Sequence, residues 1–161
     1  MIPESVRRSS YREVILSVQQ AALDAVEPGA AVRHHVRLRG DQLLIAGHAY
    51  NLAACEQVWV GGGGKAATAM AAALYGVLGE RLAGGLAVTK YGHVPPGLCT
   101  GPVEIVEAGH PLPDEAGVAA TRRLAGLLHN ATARDLVLAI ISGGGSALLT
   151  LPAAGLTLDD L

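Results

Sequence analysis

The stretch VWVGGGGKAATAM, residues 58–70, places four consecutive glycines between an apolar run and a lysine. Glycine loses more conformational freedom on folding than any other residue. Four in a row therefore persist where the backbone must turn tightly or let something approach closely. The flanks narrow the choice: a short buried strand before the glycines and an Ala-rich helical run after them. Strand, glycine loop and helix in that order place backbone N–H groups at a helix N-terminus, an anion site.

Two familiar phosphate loops are tested and fall short. The P-loop pattern G-x-x-x-x-G-K-[ST] accommodates Gly64-Lys65, but its first glycine falls on Trp59 and Ala66 replaces the Mg²⁺-binding hydroxyl. The dinucleotide pattern fits as Gly61, Gly63 and Ala66, yet it also needs an acidic residue closing the second strand. That strand ends Thr89-Lys90, and Glu80 falls within the preceding helix. What survives is the physics common to both motifs, with Lys65 adding a formal charge able to follow a transferring phosphoryl group. A lysine in a first helical turn is unfavourable against the helix dipole, so stability alone does not explain it.

The remainder of the chain repeats the strand–helix alternation. Apolar spacing predicts a helix from Ser9 or Ser10 to about Val26, capped by Ser10 and stopped by EPG at 27–29. VRHHVRLRGDQLLIAG reads as a peripheral hairpin turning at Gly40-Asp41, with His34 and His35 adjacent in a strand and pointing to opposite faces. After the VWV strand, a helix from about Lys65 to Leu82 is closed by Gly84-Gly85. Strands follow at 86–90, 103–108 and 136–141, with a helix over 115–129 before the last. LVLAII, fully apolar, has the composition of a central parallel strand. The fold class is α/β, layered, with a mostly parallel sheet. At the end, TLDDL sets Thr157 and Asp160 at capping-box spacing where the chain stops, so the chain is expected to be the N-terminal part of a longer protein.

Composition removes several classes of function. The 161 residues carry a net charge of −2, with 16% charged and 50% hydrophobic residues, as in a soluble globular domain. There is no basic surplus for a nucleic-acid backbone, and Phe is absent, so base-stacking platforms are not expected. Cys55 and Cys99 form no metal-ligand spacing and read as free thiols. Residues 136–158 are uncharged, but the glycines at 143–145, Pro152 and Gly155 break that run into strand, loop and turn rather than a membrane span.

Two further stretches carry polar groups directly after strands. AIISGGGSALL (139–149) lacks the second glycine of a serine nucleophile elbow, because Leu148 stands there. Its Ser142 and Ser146 are candidates for hydrogen bonding a phosphate or polyol, or Ser146 simply caps a helix. EAGHPLPDEAG (107–117) puts His110 at a strand's carboxyl end, where open α/β sheets bind ligands, and Asp114 at a helix N-cap. Three such stretches in one small domain argue for one composite pocket.

VGGGGKAATAMA, EAGHPLPDEAG and ISGGGSALL, in this order, resemble the type II glycerate kinase family, also labelled glycerate 2-kinase or hydroxypyruvate reductase-like. The resemblance extends over nearly the whole chain; the family's usual first loop, V-G-A-G-K-A-A, is slightly more glycine-rich here. It implies phosphorylation of D-glycerate to 2-phosphoglycerate with ATP and Mg²⁺ in the cytoplasm. It also implies that residues 1–161 are the N-terminal portion of a large Rossmann-like domain, the rest of which, with a smaller C-terminal domain, lies beyond Leu161. Carried over, Lys65 is the catalytic lysine. Gly62, Gly63, Gly64, His110, Asp114, Ser142, Gly143, Gly144, Gly145 and Ser146 are substrate- or nucleotide-binding, and no metal ligand is assigned. The expected partners are the small-molecule substrate and nucleotide, with neither nucleic acid nor membrane, and a homodimer is left open. An NAD(P)-dependent hydroxypyruvate reductase is the alternative function, and a non-catalytic ligand-binding fragment is a second.

Overall fold

The computed structural model describes residues 11–161, so Ser9 and Ser10 lie outside the described residues. Helix α1, Arg12–Ala25, follows the predicted spacing and buries none of its residues. EPG does end that helix, but it also starts another. The Glu27 carboxylate accepts from the N–H groups of Gly29 and Ala30, and Pro28 occupies the first turn of α2, Pro28–His35. His34 and His35 are therefore helical rather than extended, their rings edge-to-face with centroids 4.8 Å apart. The hairpin is shorter than predicted, β1 at Val36–Arg39 and β2 at Gln42–Ile45 with the expected turn at Gly40-Asp41. A third strand, β3 at His48–Asn51, extends it to an antiparallel sheet of order β1-β2-β3.

The main sheet contains β4 (Val58–Gly63), β5 (Gly84–Lys90), β6 (Val103–Ala108) and β7 (Leu136–Ile141), all parallel, in the order β6-β5-β4-β7. Helix α3, Ala67–Leu78, lies on one face and α4, Glu115–His129, on the other. The last two strands and α4 have the predicted bounds. Helix α3 is shorter than predicted, because Gly79 adopts φ 52° at its C-cap and a 3₁₀ turn follows. Gly84 and Gly85 do not close the helix; they begin β5.

The small sheet is not peripheral. Helix α3, ATAMAAALYGVL, is apolar nearly all round, and a helix of that kind must be covered on both sides. The parallel sheet covers one side, while α2 and the small sheet cover the other, with Val32, Val36, Leu43 and Leu52 buried in the same core as Ala71 and Leu74. A separate core beneath α4 joins Leu86, Val88, Ala120, Leu124 and Leu148.

Strand β7 departs from its composition. It pairs with β4 only and forms an edge among the described residues, with Val137 and Ile141 39% and 60% exposed. An apolar groove of about 240 Å³ runs beside it, lined by Val32, Met70, Leu74, Val137 and Ile140 among others. No helix among the described residues is long and apolar enough to cross a membrane.

Candidate active site

The strand order creates the site. From β4 the chain steps outward through β5 to β6, then returns across the sheet to place β7 on the far side of β4. Between β4 and β7 the winding reverses, and in open parallel sheets the crevice at the carboxyl ends of such strands is where ligands bind. The segments leaving those two strands are the two glycine stretches, Gly63-Gly64-Lys65 and Ser142 to Gly145.

The first glycine stretch is mostly strand rather than loop. Gly61, Gly62 and Gly63 pair with Ala139, Ile140 and Ile141 on one side and with Leu86, Ala87 and Val88 on the other. Bareness here serves close packing. A side chain on Gly61 would meet Leu124, and one on Gly63 would meet Leu149 and the Val88 carbonyl. Gly64 is the turn itself, with φ 137° and its missing side chain replaced by Ser142. Four successive N–H groups are already engaged: Gly64 donates to Val88 O, Lys65 to Gly143 O, Ala66 to Ser142 Oγ and Ala67 to Gly64 O, at 2.9–3.0 Å. The backbone at the start of α3 is thus committed to holding the second loop, which corrects the reading of it as a free anion nest.

The second loop is more open. Gly144, at φ 92°, is the N-cap of the short helix α5, Gly145–Leu148, so Ser146 lies inside the helix rather than capping it. Ser146 and Gly143 are exposed, and the N–H groups of Gly143 and Gly144 make no hydrogen bond among the described residues. A Cβ built on Gly143 would meet only Lys65 Cε, at 3.9 Å. The N–H groups left without a partner among the described residues lie on this side of the crevice, not at Gly64 to Ala67.

Lys65 and His110 converge on that loop. A Cβ at Gly144 would stand 2.8 Å from His110 Cδ2 and Nε2 and 3.5 Å from Lys65 Cγ. Only glycine leaves room for the three to meet. His110 lies two residues past the end of β6 and is joined to Pro111 by a cis peptide. Asp114 caps α4, accepting from Gly117 N at 2.9 Å, and its other oxygen accepts from the Tyr91 hydroxyl at 2.9 Å. Burial pushes the Asp114 carboxyl up, but hydrogen bonds from Gly117, Gly109, Tyr91 and Ala116 outweigh it and hold the pKa below the ordinary carboxylate value. Its partner Tyr91 is raised by that hydrogen bond.

One neighbour escaped the sequence reading. His93, in the turn after β5, places Nδ1 3.3 Å from the Lys65 carbonyl oxygen. YGHVPPGLCTGP has no motif spacing, but the criterion that marked His110, a polar side chain just past a strand's carboxyl end, applies to His93 equally. A cavity of about 720 Å³ at the opposite end of the sheet, lined by Gln57, Trp59, Leu127 and Asn130 among others, lies away from all of these groups.

Fold and site together define an α/β protein of the doubly wound kind, with its polar constellation at the switch point. Residues 14–161 match the family described as a domain of unknown function, DUF4147, and the chain belongs to that family. It is 37% identical over 150 residues to glycerate 2-kinase of Pyrococcus horikoshii, covering 93% of this chain and 32% of that protein. D-glycerate 2-kinase of Thermotoga maritima is 35% identical over 156 residues, covering 94% and 33%. A protein of Agrobacterium vitis assigned as a hydroxypyruvate reductase is 50% identical over 99 residues, covering 62% and 25%. Among solved structures, a Pyrococcus horikoshii protein superposes with a TM-score of 0.80 at 34% identity, over 99% of this chain and 34% of that one. Glycerate kinase of Thermotoga maritima gives 0.71, also at 34% identity, over 98% and 33%. The chain spans about a third of the length of these kinase relatives.

Proposed function

We propose that this chain supplies the phosphate-handling wall of an ATP-dependent glycerate 2-kinase, as the N-terminal portion of its large Rossmann-like domain. The observation that carries the reading is the meeting of Lys65, His110 and the Ser142–Ser146 loop at the switch point. Phosphoryl transfer asks a protein chiefly for positioning and for charge aimed at the moving phosphoryl group. Lys65 would provide the positive charge, and the Gly143 and Gly144 N–H groups would provide donors for phosphate oxygens. His110 would border the same space. Gly62, Gly63 and Gly64 would act through packing, and Asp114 by fixing the start of α4, rather than by touching ligand.

The open cradle over Gly143, with an ammonium beside it, suits a triphosphate, and the nucleotide would supply the phosphoryl group. Magnesium finds less here. Asp114 is engaged as a cap, Glu107 accepts from Gly92 N at 2.6 Å, and no cluster of three or more His, Cys, Asp or Glu side chains among the described residues suits a metal ion. The dinucleotide alternative is weakened, because Gly61 and Gly63 fall within a strand rather than in a loop, and the neighbouring strand ends at Lys90 rather than at an acid. The test is made on the full-length gene product. ADP formation with ATP and D-glycerate is measured against nicotinamide oxidation with hydroxypyruvate. Glycerate-dependent ADP formation is expected; oxidation of NADH or NADPH in its place would reverse the assignment.

A further inference from the structure

The two histidines meet different parts of the Lys65 neighbourhood. His110 faces the loop along which the lysine side chain runs, whereas His93 rests against the lysine's own backbone carbonyl. That second contact has a chemical consequence. A carbonyl oxygen has no proton to give, so in a hydrogen bond with it the imidazole nitrogen must be the donor. With Nδ1 carrying the proton, a neutral ring presents Nε2 as a bare lone pair.

The turn that carries His93 is tied at each step. Tyr91 N donates to Ala108 O at 3.2 Å, the Tyr91 hydroxyl donates to Asp114, Gly92 N donates to Glu107, and His93 N donates to Lys90 O at 3.0 Å. These bonds join the end of β5 to the end of β6 and to the cap of α4. The histidine is nonetheless exposed, at the carboxyl edge of the sheet. An exposed imidazole held by a braced turn, with one nitrogen assigned by a backbone contact, has the arrangement of a general base.

Resting on the kinase reading above, we propose that His93 is the catalytic base of the transfer, its Nε2 receiving the proton of the acceptor hydroxyl while Nδ1–H is held by the Lys65 carbonyl. The hydroxyl oxygen forms its bond to the γ-phosphorus of a nucleoside triphosphate. The bond from that phosphorus to the bridging oxygen breaks, and its electron pair leaves with the diphosphate. The hydroxyl proton passes to Nε2 and from there to solvent. Lys65 serves both halves of the step, its ammonium toward the phosphoryl group and its carbonyl fixing the base.

The test uses the full-length gene product with His93→Asn and His93→Gln. Asparagine places an amide donor near the position of Nδ1 and keeps the bond to Lys65, but cannot accept the proton. His93→Asn is expected to retain the wild-type fold and both KM values while losing about a hundredfold or more in kcat, the usual contribution of a positioned base. His93→Gln is expected to lose as much. A kcat for His93→Asn within threefold of wild type would overturn the proposal, and so would a loss expressed only in KM. Should both variants fail to fold, the ¹⁵N spectrum of the wild-type ring decides: a neutral Nδ1–H form is expected, and an Nε2–H form overturns the role. Absence of turnover in the unsubstituted protein removes the kinase reading and this role together. Normal turnover untouched by His93→Asn removes this role alone.

Discussion

The hydroxyl oxygen of Ser142 accepts a hydrogen bond from the N–H of Ala66 at 3.0 Å, across 76 positions of the chain. That bond occupies an N–H at the start of α3 and fixes the distance between the two glycine stretches. Beside it, Lys65 N donates to Gly143 O and Ser142 N donates to Gly63 O. The serine therefore acts on the crevice by holding its two walls together.

Ser142→Ala should leave the part-buried Ala66 N–H without its acceptor, a loss of about 1–3 kcal/mol. Urea denaturation of the two proteins checks this. Turnover should fall as well, because the loop that meets Lys65 is no longer held in register. A variant matching wild type in both stability and turnover would show that the bond contributes nothing.

Lys65→Ala should abolish most of kcat in the full-length protein, by at least roughly a hundredfold, as expected on removing one preorganised charged group. The thermal midpoint should change little, because the side chain is exposed and its backbone bonds remain. Steady-state kinetics and a melting curve suffice. Activity within threefold of wild type would leave Lys65 as a solvated lysine of the turn that precedes α3.

Gly144→Val should remove ligand binding more completely than stability. The residue adopts φ 92°, which β-branched side chains avoid, and its Cβ would enter the space between His110 and Lys65. Calorimetric titration with nucleotide, set beside a denaturation curve, separates the two effects. Normal nucleotide affinity would leave this loop as a turn and nothing more.

Asp114 ties acid pH to the site. Its folded-state pKa lies below the ordinary value, so its contribution to stability is present above the unfolded-state pKa and is lost as pH falls through the folded one. Asp114→Ala should cost about 1 kcal/mol at neutral pH as a lost helix cap. The difference between the variant and wild type should shrink toward acid pH. Denaturation measured at neutral and acidic pH tests this, and a difference independent of pH would be the contrary result.

Much of the fold is legible because its signals are local. The bounds of β6, α4 and β7 follow from apolar runs and from Asp114, a cap whose hydrogen bond spans three residues. Thr157 and Asp160 form their capping box for the same reason. Helix α2 is not legible locally, because Arg33, His34 and His35 have the pattern of a polar strand. The decisive feature is Glu27 with Pro28, a pair that ends one helix and begins the next.

What the sequence determined by itself is the succession of strand, turn and helix from β4 to β7, and the polar groups stationed at strand ends. Hydrogen bonding and apolar periodicity over a few residues encode these directly. The tertiary structure alone decided that β7 lies beside β4 at an edge, that three of the four glycines are sheet residues pressed by Leu124, Ile140 and Leu149, and that His93 reaches Lys65. Each of these depends on which surfaces are buried against one another. Glycine has the same letter whether it bends the chain or makes room for a neighbour, and only the packed structure supplies the neighbour.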